Sequence, residues 1–432
     1  MSPLKTTIHR AKAASLELAA VAGPVKNAAL HRMVQELSGA AARIQSANRA
    51  DLEAAAAEGL AAPLVKRLHF DSAKLREACD GLTALAALPD PVGRTLRAVE
   101  LDRGLELYQV TCPLGVVGVI FESRPDALIQ IAALCLKSGN AALLKGGREA
   151  AATNRVLADV IAAATASAGL PWGWMALLES RQEVAAILDC DQDIDLIIPR
   201  GSNAFVRQIM QNTRIPVMGH ADGICHVYID RAADTAMAIE VAVDSKVQYV
   251  AVCNAAETLL VHRRIAPDLL PPLAAALADH GVEIRGCERT AALVQVVPAT
   301  EVDWRTEYLD RIVSIRVVDS LEAAVGHINR YGSGHTEVIV TGDGERARRF
   351  MARVDAADVF VNCSTRFADG FRFGLGAEVG ISTQKLHARG PVGLDGLVTY
   401  KWHLLGSGQK VADYCGPQAR PFTHRRLDTP YA

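Results

Sequence analysis

Gly115-Val-Val-Gly-Val-Ile-Phe-Glu-Ser-Arg-Pro-Asp-Ala-Leu-Ile-Gln-Ile-Ala-Ala-Leu-Cys-Leu-Lys-Ser-Gly-Asn-Ala-Ala-Leu-Leu-Lys-Gly-Gly147 is the stretch from which the fold is read. Its first seven residues are uncharged and rich in β-branched side chains, which suits a parallel strand buried on both faces. Residues 126–138 then read as a helix, and the apolar run after Asn140 as a second strand ending on Lys145-Gly146-Gly147. Downstream come a long helix from Ala150, an apolar segment over 174–178, and a strand, turn and helix start in Asp195-Leu-Ile-Ile-Pro-Arg-Gly-Ser202. Strand and helix alternate, as in a doubly wound α/β sheet whose ligands sit at the carboxyl ends of its strands. The architecture restarts after Asp230, with Glu257-Thr-Leu-Leu-Val-His262 as a clear strand, so a domain boundary is expected there. Upstream, residues 5–88 are alanine-rich with apolar positions three and four apart, the pattern of scaffold helices. Leu105-Glu-Leu-Tyr-Gln-Val110 alternates like a strand, and an extended edge there would pair with a partner sheet. The polar, proline-containing residues after about 409 receive no element.

With 432 residues, half of them hydrophobic, the chain is too long for one ordinary core and is expected to form at least two domains. A formal charge of -2 leaves no electrostatic footprint for nucleic acid or an anionic membrane, so small metabolites are the expected partners. No two of the nine cysteines have metal-knuckle spacing, and no metal is expected. Their odd number and scatter fit a reducing compartment, the cytoplasm. Residues 160–178 lack charge and approach the roughly 20 residues of a spanning helix. Gly169, Pro171 and Gly173 break that run, which therefore reads as a buried helix and a turn.

No G-x-G-x-x-G follows a strand, and Gly374-Leu-Gly376-Ala-Glu-Val-Gly380 has the spacing of a tight loop rather than of a dinucleotide fingerprint. Phosphate sites are expected instead at Lys145-Gly146-Gly147, on a strand end, and at Arg200-Gly201-Ser202, before a helix. Each offers backbone N–H groups beside a cation, and each is also what an ordinary glycine turn looks like. Cys253 lies on a loop just before a strand, where a thiolate would attack an acyl carbon and backbone N–H groups would hold the oxyanion. A cysteine taken alone reads equally as a small buried side chain.

Val252-Cys-Asn-Ala-Ala-Glu-Thr-Leu-Leu-Val-His262 resembles the active-site segment of the gamma-glutamyl phosphate reductase family, within the aldehyde dehydrogenase superfamily. Val119-Ile-Phe-Glu-Ser-Arg-Pro-Asp126, Ser138-Gly-Asn-Ala-Ala-Leu-Leu-Lys-Gly-Gly147, Ile198-Pro-Arg-Gly-Ser202 and Gly223-Ile-Cys-His-Val-Tyr-Ile-Asp230 agree in the same order. So do Glu307-Tyr-Leu-Asp310, His327-Ile-Asn-Arg-Tyr-Gly-Ser-Gly-His335, the segment from Asn362 to Glu378, and Ser382-Thr-Gln-Lys-Leu-His-Ala-Arg-Gly-Pro391. The resemblance spans residues 5–402. It implies an aldehyde dehydrogenase-like α/β fold: two doubly wound α/β domains plus a small β oligomerisation extension. Residues 1–101 and 113–232 would form the NADPH-binding domain, 233–390 the catalytic domain, and 102–112 with 391–432 the oligomerisation strand or hairpin and tail.

The same resemblance implies reduction of L-glutamyl 5-phosphate to L-glutamate 5-semialdehyde by NADPH in a homo-oligomer, dimer or tetramer, with glutamate 5-kinase as a partner. It makes Cys253 the nucleophile, with Asn254 beside it in the catalytic set. Lys145 would contact the adenine ribose or its phosphate, with Gly146, Gly147, Arg200, Gly201 and Ser202 completing the cofactor site. Glu307 would bind the nicotinamide ribose, and Arg124 and Arg366 the anionic groups of the substrate. Hydrolytic relatives use a glutamate in Glu-Leu-Gly-Gly to activate water, whereas this chain has Gly219-His220-Ala-Asp222-Gly223, as suits a thioester meant for hydride. The superfamily's oxyanion asparagine is replaced near Ser123, leaving the Cys253 N–H and the Ser123 hydroxyl as alternative donors. Cys363 stands where alanine is usual and reads as a buried small residue. Val250-Ala-Val-Cys253 lacks the proline-glycine common before the nucleophile.

Overall fold

A computed structural model describes residues 3–431 of the chain apart from 123 and 221, and the side chains at 62, 63 and 181 also lie outside that description. Five helices lead the chain: Pro3–Leu18, Gly23–Gly39, Ala41–Ala57, Ala62–Leu68 and Ser72–Ala87. Local sequence starts two of them. Proline occupies the first turn of Gly23–Gly39, and the Asp71 side chain accepts the Lys74 N–H ahead of Ser72–Ala87. Leu30, Met33, Leu37, Leu75 and Leu82 recur at helical spacing and close over Val117, Val119 and Leu144 in a single core.

That core rests on a parallel sheet ordered Met175–Leu177, Ala141–Lys145, Val116–Phe121, Leu196–Arg200. Every residue of Val116–Phe121 is buried, and the helices Pro125–Lys137 and Ala151–Ser167 make the crossovers. The chain moves outward from Val116–Phe121 and then returns to its other side, so the order reverses between that strand and Leu196–Arg200. A crevice opens at such a switch point, beyond the carboxyl ends. Gly169 and Gly173, with φ of 82° and 86°, turn the chain after Ala151–Ser167. Among the described residues, no helix is long and apolar enough to cross a membrane.

A second sheet has seven parallel strands ordered Val297–Pro298, Glu283–Gly286, Ile312–Val318, Ala256–His262, Cys225–Ile229, Thr336–Val340, Asp358–Val361. Successive residues point to opposite faces, and both faces are covered. Val227, Leu259, Val261 and Val338 enter one core, while Tyr228, Leu260 and Ile339 enter another. The interior strand Cys225–Ile229 precedes the boundary expected at 232/233, so the second α/β unit begins earlier than the sequence suggests.

The extension also differs in its limits. Thr95–Asp102 pairs antiparallel with Leu105–Pro113, so the boundary at 101/102 cuts through a hairpin. Leu105–Pro113 pairs in turn with Val398–Leu405, and Arg425–Arg426 adds to the far side through Val99 and Glu100. The tail thus contributes a short strand that its polar sequence does not announce. Val392, Leu394 and Leu397 are buried in the first core, so residues 391–397 belong there, and the extension resumes at Val398.

Candidate active site

Neighbouring strands of a parallel sheet start side by side, about 4.8 Å apart, so the loops that precede them meet at one edge. Cys225–Ile229 lies between Ala256–His262 and Thr336–Val340. The segments entering these three strands carry His220, Cys253 and His335. A ring nitrogen of each histidine and Sγ of Cys253 all lie within 4.8 Å of one another. Cys253 therefore stands at the amino edge of the second sheet, not at the carboxyl edge where a doubly wound sheet usually binds its ligand. Arg200, from the carboxyl end of the first sheet, faces it.

Cys253 is partly exposed on a turn closed by the Ala255 N–H on the Val252 carbonyl, 3.2 Å. Gly223 packs against its backbone. A Cβ there would fall 2.1 Å from the Cys253 carbonyl oxygen and 2.5 Å from its Cα, so only glycine fits. The Ile224 N–H donates to Ser333 Oγ, 2.9 Å, and ties this segment to the loop that carries His335. Below lies Cys225, fully buried, whose Sγ donates to the Cys253 carbonyl at 3.2 Å. Burial pushes the Cys225 thiol well above its ordinary range, so it stays protonated. The Lys246 ammonium meets Glu257, 2.6 Å away and equally buried, and so joins the ends of the elements flanking the Cys253 loop.

Both histidines are held neutral. His220 Nδ1 lies 2.8 Å from the Ile381 carbonyl, which can only accept, so Nδ1 carries the proton and Nε2 the lone pair. His335 Nδ1 is 2.8 Å from Thr336 Oγ1, whose hydroxyl donates to Asp358 at 3.4 Å. His335 Nε2 is buried without a hydrogen-bond partner among the described residues. Burial lowers the pKa of both rings below the ordinary imidazole value.

Charge gathers around the thiol. Arg200, placed by sequence in the cofactor site, has its guanidinium within electrostatic reach of Cys253, Glu378 and Arg124. Arg366 also acts on Cys253, and its Nε donates to Gln248 Oε1 at 2.9 Å. Arg124 is exposed at the start of Pro125–Lys137. Glu378 accepts the Gly370 N–H at 2.8 Å, and burial raises its pKa while Arg200 opposes the rise. Arg200 and Arg366 thus both act on the thiol, and Arg124 acts on Arg200. Gly201-Ser202 also fits a phosphate poorly, because the Ser202 N–H already serves the Glu122 carboxylate and a Cβ on Gly201 would meet that group at 3.0 Å.

Lys145 ends the strand Ala141–Lys145, its ammonium donating to the Gly146 carbonyl. A Cβ on Gly146 would meet the buried Asn154 amide at 2.1 Å, and one on Gly147 the end of the partly exposed Glu149 side chain at 1.9 Å, so side chains there would displace these neighbours. Glu307 accepts from Asn203 Nδ2 at 2.6 Å and acts electrostatically on His220, which places it toward the thiol. Asn254 is buried and donates to the Ala368 carbonyl at 2.7 Å. This bond ties the turn to the segment that carries Arg366. Ser123 lies outside the described residues. Cys363 is only partly buried, not fully as its sequence suggested. Asp222 is held by Asn203 and at two points by Arg207, at 2.6 and 2.9 Å.

Sequence reasoning set aside His220 and gave His335, Gly223 and Glu378 no role, although all four lie in segments it quoted. The missing information was strand order: nothing local in the chain says that residues 220, 253 and 335 precede adjacent strands.

A model of the aldehyde dehydrogenase family matches residues 4–290 and 280–378. Gamma-glutamyl phosphate reductase of Pelotomaculum thermopropionicum is 60% identical over 423 residues, 98% of this chain and 97% of the relative. The enzyme of the same name from Acetivibrio thermocellus is 58% identical over 417 residues, 96% of each chain. Among solved structures, gamma-glutamyl phosphate reductase from Thermotoga maritima matches with a TM-score of 0.93 at 39% identity, covering 95% of this chain and 100% of that one.

Proposed function

The chain belongs to the aldehyde dehydrogenase family, among its gamma-glutamyl phosphate reductases, and from that premise we propose that it reduces L-glutamyl 5-phosphate to L-glutamate 5-semialdehyde and phosphate with NADPH, through a thioester on Cys253. The reaction is the second step of proline synthesis from glutamate, carried out in the cytoplasm by a homo-oligomer supplied by glutamate 5-kinase. One observation carries the chemistry: an accessible thiol flanked by two neutral imidazoles and faced by guanidiniums.

Cys253 Sγ attacks the γ-acyl carbon, its proton passing to the lone pair of His335 Nε2. The bond to the phosphate oxygen breaks, and phosphate departs with both electrons. A substrate bearing a phosphate and an α-carboxylate calls for paired cations, which Arg124, Arg200 and Arg366 supply. Glu378 is the acid set to receive the α-ammonium. The Cys253 N–H donates to no backbone carbonyl among the described residues and so serves the oxyanion of the tetrahedral species.

The residues at the carboxyl edge of the first sheet fit a dinucleotide. Lys145 with Gly146 and Gly147 would hold its adenosine end, and Glu307, across from them on the second unit, its nicotinamide ribose. When bound, the cofactor supplies the hydride that reduces the acyl group. Cys253 then leaves as thiolate from the resulting oxyanion. Asp222, engaged by Arg207, offers no free carboxylate to activate water against the thioester.

The reverse reaction tests this reading. Oxidation of glutamate semialdehyde with NADP should require inorganic phosphate, because phosphate must cleave the thioester. An equal rate without phosphate would make the chain an aldehyde-oxidising enzyme instead.

A further inference from the structure

His220, Cys253 and His335 present their donor atoms as a metal site does. All three atoms lie within 4.8 Å of one another, and His335 is wholly buried with Nε2 unpartnered among the described residues. Each ring commits Nδ1 to an oxygen, His220 to the Ile381 carbonyl and His335 to Thr336 Oγ1. That is the outer arrangement by which metal-binding imidazoles are oriented, with the other nitrogen left unprotonated for the ion. Around a tetrahedral zinc, bonds of about 2.3 Å to sulfur and about 2.0 Å to nitrogen set neighbouring donors roughly 3.5 Å apart. The trio reaches this spacing by about 1 Å of inward movement of Cys253 and His220, the two partly exposed members.

We propose that His220, Cys253 and His335 form a binding site for a soft divalent cation of the zinc type, whose occupation reversibly blocks the enzyme. Two imidazole nitrogens and one sulfur select zinc over magnesium or calcium, which prefer oxygen. In binding, the Sγ–H bond breaks, the proton goes to solvent, and the sulfur and both nitrogens each contribute a lone pair to the ion. No electron is transferred. A water from the open cleft completes the tetrahedron. Arg200 and Arg366 oppose a cation here, whereas Glu307 and Glu378 favour it and the thiolate bond is direct. The metal occupies the electrons the nucleophile needs, so inhibition follows from occupancy, whatever the substrate.

The site can be tested without substrate, so its failure is separable from that of the acyl-phosphate reading. Protein stripped with a chelator is titrated with zinc against a chromogenic zinc indicator, and iodoacetamide labelling of Cys253 is followed by mass spectrometry. One zinc per chain should bind and shield Cys253 from alkylation, a chelator should reverse both, and magnesium should do neither. Cys253→Ser and His220→Asn should each weaken that binding at least about tenfold, the lower end of what even a residue orienting a ligand contributes. His335→Asn should do the same, and because His335 is buried, the His220 variant keeps the test valid if that protein fails to fold. Zinc bound as tightly by Cys253→Ser would place it elsewhere, and Cys253 protection unchanged in His220→Asn would reduce the site to a bare thiol. Either result overturns the proposal.

Discussion

In the proposed mechanism His335 takes the thiol's proton, and its ionisation sets a pH signature. Burial holds its pKa below the ordinary value of 6.5, so the ring stays a proton acceptor as pH falls through that range and is lost as a base only at lower pH. His220 is shifted the same way for the same reason. Single-turnover acylation should therefore show no loss between pH 7 and 6.5, and its acid limb should lie lower still. His335→Asn should slow acylation roughly a hundredfold, the smaller end of a general base's contribution, and remove that limb. A rate that halves near pH 6.5 in the native protein would show an ordinary, solvated imidazole. At this scale the sequence singled out Cys253 by its residue type and segment, and the fold sets it between His220 and His335. The sequence was least informative about surroundings: that Arg200 acts on the thiol and that Asn254 is tied to the Ala368 carbonyl can be read only from the folded chain.

Elements bring the groups together. The loops entering Cys225–Ile229, Ala256–His262 and Thr336–Val340 converge because those strands are adjacent, and Gly223 sets how closely the first loop approaches the second. Backbone cannot yield as a flexible side chain does, so Gly223→Ala must push the Cys253 turn aside. Overpacking of this kind costs about 1–3 kcal/mol, and a shift near 1 Å at a reacting group costs about a hundredfold in rate. Thermal melting and kcat should both fall in Gly223→Ala, with NADPH affinity nearly unchanged because Lys145 lies on the other sheet. Full activity in that variant would show that the loops do not need this contact. Strands and crossover helices were legible from apolar runs between glycines, since a strand buried on both faces leaves that trace. Pairing order was not, because register is settled between distant segments: hence the misplaced boundaries at Cys225–Ile229 and at the Thr95–Asp102 hairpin.

For the whole molecule, two α/β units meet with the carboxyl edge of one sheet toward the amino edge of the other, and a separate antiparallel sheet stands beside them. Its outer strand, Val398–Leu405, exposes Tyr400, Trp402 and Leu404, about half or more of each, an apolar edge that monomeric proteins avoid. Light scattering should give a multiple of the 46.1 kDa chain, and Trp402→Glu should shift the protein toward that single mass. A native protein already at 46.1 kDa would assign that strand another use. The central claim, that the acyl group passes through Cys253, can be read directly. Enzyme mixed with glutamyl phosphate in the absence of NADPH, quenched in acid and digested, should carry one glutamyl adduct on the Cys253 peptide, lost on adding NADPH and absent from Cys253→Ala. An adduct on any other residue, or turnover that persists in Cys253→Ala, would contradict the account.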